Sequence, residues 1–151
     1  MAVGLIVNPT AGRGNGRSQY PIITETFERL GVEVIDFTSR SIEEAEARAR
    51  MAIAHQQIDA LVVAGGDGMV HLGVNLVTDA KLPLGIIACG TGNDSARALG
   101  LPVDDVVWAT QIAADHLGLT RSVDVGLVEN DKGRFFFFGS ISAGFDALVN
   151  A

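Results

Sequence analysis

The sequence predicts an α/β fold: a doubly wound, mostly parallel sheet followed by the start of an antiparallel β unit. Three observations predict it. Short apolar runs alternate with helical patterns over the first 118 residues. Three of those runs end directly in small-residue turns, Asn8-Pro9-Thr10-Ala11-Gly12, Gly65-Gly66-Asp67-Gly68 and Gly90-Thr91-Gly92-Asn93-Asp94. After Gly118 the alternation stops, and two strand-like runs follow with a turn between them.

Residues 3–7 form an apolar run closed by Asn-Pro, which suits a buried parallel strand. Tyr20, Ile23, Phe27 and Leu30 then recur at helical spacing, and Gly31 supplies the stop. Residues 32–37 read as the second strand. Ser41 and Glu44 form a capping box that opens the next helix. Ala45, Ala49 and Ile53 are its inward face, with Glu44/Arg48 and Glu46/Arg50 as i,i+4 pairs facing water. Residues 60–64 and 84–88 are the third and fourth strands, separated by a helix over 69–77. Asp94 can cap a short helix through Leu99, and Pro102 starts another running to His116. Residues 122–128 and 134–141 are expected to pair as a hairpin around a 129–133 loop. The division is 1–118 for an α/β domain and 119–151 for the hairpin and junction that begin a second, truncated β domain.

Composition bounds the function. The 151 residues are 48% hydrophobic and 19% charged, so the chain is globular. A net charge of −7 argues against nucleic-acid binding, and no basic cluster would hold the chain to anionic lipid on its own. One cysteine, Cys89, excludes an internal disulfide and fits a reducing, cytoplasmic compartment. The 3–7 run is too short for a signal segment or a transmembrane span.

Strands of a parallel sheet end at the same edge, so the three turns converge on one crevice. Glycine admits an anion close to backbone N–H groups, and the helix behind each turn presents its positive end there. That is the chemistry of a phosphate site. In the first turn, Gly12, Gly14 and Gly16 also resemble a dinucleotide fingerprint, with Asp36 where a ribose-binding carboxylate would sit. The spacing is G-x-G-x-G, however, and no lysine follows in the register of a Walker-type loop. In the second turn, Asp67 either caps the following helix or holds Mg²⁺ while the glycine amides meet phosphate. In the third, Asp94 is either an N-cap or a second acidic ligand. Two carboxylates at one edge require a cation or hydrogen-bond donors between them.

As an ordered set, the three turns resemble the catalytic domain of the diacylglycerol kinase and sphingosine kinase family of lipid kinases. Ala96-Arg97-Ala98-Leu99, Val123-Asp124-Val125-Gly126 and Ser142-Ala143-Gly144-Phe145-Asp146-Ala147 extend the resemblance over nearly the whole chain. It implies a fold like the N-terminal domain of NAD kinase and phosphofructokinase. It also implies ATP and Mg²⁺ as cofactors, and a lipid alcohol, diacylglycerol in the first instance, as acceptor at the membrane surface. The nucleotide contacts it implies are Asn8, Pro9, Thr10, Gly12, Gly65, Gly66, Asp67, Gly68, Gly90, Thr91 and Asn93. Asp67 is the catalytic position. Asp67, Asp94 and Asp124 are implied to organise Mg²⁺ through water, and Asp146 to lie near the lipid head group, unless it only caps a strand end. Ala11 and Met69 depart from the family's Ser and Thr, which is expected to alter nucleotide affinity without abolishing binding. Family members run to about twice this length, and the general base is expected in their C-terminal part. The resemblance therefore implies an inactive nucleotide-binding fragment. NAD kinase shares Gly-Gly-Asp-Gly but lacks the Thr91–Asp94 motif, and a non-catalytic nucleotide-binding module is the reading from another class.

Among lesser features, His55, His71 and His116 are too scattered for a metal motif, and only His71 lies near the site. Trp108 is expected to pack. The Phe135–Phe138 run faces both sides of its strand, so it is expected to expose an apolar patch prone to self-association, leaving a homodimer open.

Overall fold

The computed structural model of the chain describes residues 1–139. Four strands, β1 (Ala2–Val7), β2 (Glu33–Asp36), β3 (Ala60–Gly65) and β4 (Leu84–Ala88), form one sheet in the order β2-β1-β3-β4. Every neighbouring pair is parallel. The helices between them are α1 (Ala11–Arg29), α2 (Ile42–Ala54) and α3 (Asp67–Val77), followed after β4 by α4 (Asp94–Ala98) and α5 (Val106–Asp115). This is the doubly wound parallel sheet that the alternation predicts, and a separate two-stranded antiparallel sheet follows it.

Side-chain alternation along the central strands builds two cores. Val3, Leu5 and Val7 point to one face with Val62 and Ala64, where Ile23 and Phe27 of α1 and Ala109 of α5 cover them. Ile6, Leu61 and Val63 point to the other, against Ala45, Ala49 and Ala52 of α2 and Met69, Leu76 and Val77 of α3. β1 and β3 are buried on both faces, which is why they read as continuous apolar runs.

Several boundaries differ from the sequence expectation. α3 starts at Asp67, two residues early, because Met69 and Val70 donate to the Gly66 carbonyl and close its first turn. α5 starts at Val106 instead of Pro102: Asp105 caps it by accepting the Trp108 N–H at 2.8 Å, so Asp105 is a cap and not idle surface charge. Trp108 is 57% exposed and does not pack as expected. Ser41 caps α2, but Glu44 bonds to Ser39 instead of reaching back to complete the box. The Glu46–Arg50 pair forms at 2.7 Å; Arg48 instead donates to the Asp36 carbonyl and lies over Phe37.

The hairpin is β5 (Gly126–Asn130) and β6 (Gly133–Phe137), tighter than expected, since Asn130 pairs with Gly133 and leaves a two-residue turn. Asn130 Oδ1 accepts the Lys132 N–H across that turn. The hairpin docks on α3 through Asn75, whose side-chain amide donates to the Phe136 carbonyl at 2.8 Å and accepts its N–H at 2.7 Å. Phe135 meets the His71 ring edge-on, and Phe136 lies under the Arg134 guanidinium. Phe135 to Phe138 are consequently half-buried, not an open patch. No helix among the described residues is long and apolar enough to cross a membrane.

Candidate functional site

Three loops leave the carboxyl edge of β1, β3 and β4, and all three line one open cavity of about 690 Å³. In the first, Asn8 is an anchor. Its N–H donates to Ala64 of the neighbouring strand, its carbonyl accepts the Ala11 N–H, and its Oδ1 accepts both the N–H and the hydroxyl of Thr10 at 3.0 and 2.8 Å. The turn is thereby shaped by one side chain, and α1 begins at once. Gly16, the last glycine of the G-x-G-x-G run, has a packing reason: a Cβ there would stand 2.0 Å from the Asn8 carbonyl oxygen.

The second and third loops are locked to each other. The Gly66 and Gly90 backbones touch, and a Cβ on Gly90 would lie 2.4 Å from Gly66 Cα, so no larger residue fits. Asp67 reaches across this contact. Its Oδ1 accepts the Ser95 N–H at 2.8 Å and its Oδ2 the Asp94 N–H at 3.2 Å, so it caps α4 from another loop. Burial pushes the Asp67 carboxyl up, but bonds from the Ser95 backbone and side chain and from the Asp94 and Asn93 backbone outweigh it and hold it below the usual value.

Asn93 is buried at 5% exposure in the left-handed conformation, with φ of 60°. Its side chain accepts the Gly90 N–H at 3.0 Å and donates to the Gly90 carbonyl at 2.9 Å, closing the turn as a strand neighbour would. The donors expected between two carboxylates are thus backbone N–H groups, one of them from Asp94 itself. Asp94 does not cap α4. Its own carboxylate is exposed and pairs with Arg97 at 3.3 Å, while Arg97 also donates to the Gly92 carbonyl.

Of the expected nucleotide contacts, Asn8, Pro9, Thr10, Gly12, Gly66, Asp67, Gly68, Gly90 and Thr91 line the cavity. Gly65 and Asn93 do not. Gly65 lets the Met69 side chain pack behind the loop, and Asn93 holds Gly90 in place. Asp124 is exposed on the segment before β5, and among the described residues no three acidic, histidine or cysteine side chains form a metal cage. Asp146 lies outside the described residues. Met69 is buried and lines the cavity wall, so the departure from Thr replaces a hydroxyl with core packing. His71 faces the hairpin, and Asp36, the one-time ribose candidate, accepts the Tyr20 hydroxyl at 2.6 Å. That bond, then burial, raises the Tyr20 pKa.

Sequence reasoning missed the cavity's fourth wall. Ser39, Arg40, Ile42 and Ala45 come from the loop after β2 and the start of α2. The usable signal was topological: β2 is parallel to β1, so its loop must open at the same edge.

Comparison with known proteins bears on this geometry. The model of the diacylglycerol kinase catalytic domain matches residues 2–128. A diacylglycerol kinase of Mycobacterium tuberculosis is 35% identical over 149 residues, 98% of this chain and 47% of that protein. One from Bacillus subtilis is 34% identical over 134 residues, 87% of this chain and 42% of that protein. The crystal structure of a diacylglycerol kinase from Bacillus anthracis superposes with a TM-score of 0.64 at 27% identity, over 76% of this chain and 43% of that one. The chain spans less than half the length of the curated relatives it matches. It belongs to the diacylglycerol kinase catalytic domain family.

Proposed function

We propose that this chain is the nucleotide-binding part of an ATP- and Mg²⁺-dependent lipid kinase that phosphorylates the free hydroxyl of diacylglycerol to give phosphatidic acid. The observation that carries the proposal is the convergence of three strand-end loops on one cavity around the Asp67 carboxylate, in a chain of this family. Relatives in two genera bear the name diacylglycerol kinase, which supports the choice of lipid.

The site suits a phosphate chain. The first turns of α1 and α3 open onto the cavity, and their leading N–H groups lack intrahelical partners. Phosphoryl transfer depends mainly on positioning and on neutralising charge. Asp67 keeps its negative charge at neutral pH and lines the cavity. Mg²⁺ is commonly held by one or two carboxylates with waters and substrate phosphates, and a single cavity carboxylate fits that pattern where an all-protein cage would not. Bound Mg²⁺ would supply charge neutralisation at the transferring phosphate. The loops position the phosphates, and Asp67 with the Gly66–Gly90 contact fixes their spacing. Catalysis is then completed by a general base that the described residues do not supply, and the protein works in the cytoplasm with transient contact to the membrane carrying its substrate.

The test is Mg²⁺-dependent transfer of label from ATP to diacylglycerol, sphingosine, phosphatidylglycerol or NAD. It compares this chain with a chimera that continues into the C-terminal part of the Bacillus subtilis relative. Label in diacylglycerol from the chimera alone is expected. Label in NAD would assign the chain to nicotinamide chemistry, and ATP binding without transfer in either protein would make it a non-catalytic module.

A further inference from the structure

The hairpin has a covalent and a non-covalent link to the parallel sheet, and the second does more to fix its place. The covalent link is the stretch 119–125, which carries no helix or strand and is mostly exposed, with the Arg121 side chain donating to the Leu99 carbonyl at 3.1 Å. The non-covalent link is the outer side of α3. His71 and Asn75, with Asp79 just past the helix end, recur every fourth residue and so line up along one side. They meet Phe135, Phe136 and Arg134 of β6.

Asn75 is the centre of this contact. Its Nδ2 donates to the His71 carbonyl of its own helix at 2.9 Å and to the Phe136 carbonyl at 2.8 Å, while its Oδ1 accepts the Phe136 N–H at 2.7 Å. Both amide hydrogens and the oxygen are engaged, which leaves the side chain one orientation. Along an antiparallel strand, alternate residues turn N–H and C=O away from the partner strand. Phe136, opposite Leu127, is such a residue, and Asn75 stands where a third strand would. An aspartate would bring a carboxylate against two carbonyls, and a glutamine is one methylene longer than the gap.

The same helix begins at Asp67. Eight residues on a helix rise by about 12 Å, so α3 carries the cavity carboxylate at one end and the seat of β6 about two turns on. Asn75 itself does not line the cavity. We propose that Asn75 is a positioning residue for phosphoryl transfer: by seating the Phe136 backbone on α3, it sets the distance between Asp67 and the acceptor-binding part of the enzyme that follows β6. This rests on the lipid-kinase reading above, and it adds the residue that keeps the two parts of that enzyme in register. Asn75 acts through β6 and touches neither nucleotide nor acceptor.

The test has two arms, each applied to Asn75→Ala, Asn75→Asp and, as a control on the exposed side of α2, Arg50→Ala. In this chain, residual dipolar couplings of the 126–137 amides are compared with those of β1 and β3. In the chimera described above, label transfer from ATP to diacylglycerol gives kcat and the KM for ATP. The wild-type hairpin is expected to share the alignment of the parallel sheet and to lose it in Asn75→Ala. Asn75→Ala is also expected to lower kcat about 10- to 100-fold, the scale on which a small misplacement acts, with the KM for ATP unchanged. Asn75→Asp, which keeps the acceptor for the Phe136 N–H, should fall between, and Arg50→Ala should match the wild type. A hairpin still aligned in Asn75→Ala, or a kcat that stays at the wild-type level, would overturn the assignment while leaving the kinase reading standing. A KM for ATP that rises as far as kcat falls would place the damage in the nucleotide site and reduce Asn75 to a structural role in α3. A wild-type chimera that binds ATP and transfers label to no acceptor would overturn both the kinase reading and the inference.

Discussion

In β1 and β3 nearly every side chain is fully buried, whereas β5 and β6 bury none completely. The first pair is sandwiched between helices on both faces; the second leans on one helix, α3, through Asn75 and His71. The candidate site sits wholly on the first pair's side, at the edge where sequential strands must all end. The difference teaches that the loops inherit their rigidity from a doubly covered sheet, while the hairpin is an attachment whose position depends on few contacts.

Mutations that attack each side separately should widen the contrast. Phe27→Ala opens the core under β1 and is expected to cost about 3–5 kcal/mol in urea unfolding, while Phe136→Ala in the hairpin should cost about 1 kcal/mol or less. Next in size is Asn75→Leu, which strips both bonds from the Phe136 backbone at a cost of about 1–3 kcal/mol. Amide exchange should then accelerate in β6 and stay slow in β1 and β3; uniform acceleration would show that the hairpin belongs to the same cooperative unit.

Asp67→Asn substitutes a donor-bearing amide for a carboxylate that two N–H groups address, at an expected cost of about 1–2 kcal/mol. The sign of its pH dependence follows from the lowered carboxyl. The native state binds a proton less readily than the unfolded chain, so this contribution is complete above the ordinary value of 3.8 and is lost as pH falls through the lower native value. The stability gap between wild type and Asp67→Asn should therefore shrink on acidification below about pH 4. A gap that widened would mean the hydrogen bonds are absent in solution. Smallest is Trp108→Ala, expected within about 0.5 kcal/mol of wild type because the indole is mostly in water. A larger loss would place Trp108 in a contact that the comparison assigns to neither region.

The same comparison explains what the sequence made legible. β3 and β4 match the expected 60–64 and 84–88 within one residue, because neither run contains a polar residue to blur its ends. The three turns were readable because small residues follow those strands directly. For Asn93 and Gly65, motif membership does not distinguish a residue that touches phosphate from one that shapes the loop. The second role shows in the packing of Met69 against Gly65 and in the bonds of Asn93 to Gly90. Arg40 escaped notice because its loop carries no glycine and its strand is short and only half-buried. The start of α5 was misplaced because Pro102 is a strong helix-opening signal, while the Asp105 cap lies three residues further on. Hairpin boundaries were the least legible, since four consecutive phenylalanines carry no alternation to set the ends of a strand.

The measurement that tests the central account most directly is an amide NMR titration of the chain with Mg²⁺ and ATP. Shifts are predicted at residues 8–12, 38–42, 66–69 and 90–95, with the hairpin at 126–137 unmoved. Shifts centred on the hairpin, or none at millimolar ATP, would contradict a phosphate site built from strand-end loops of the parallel sheet.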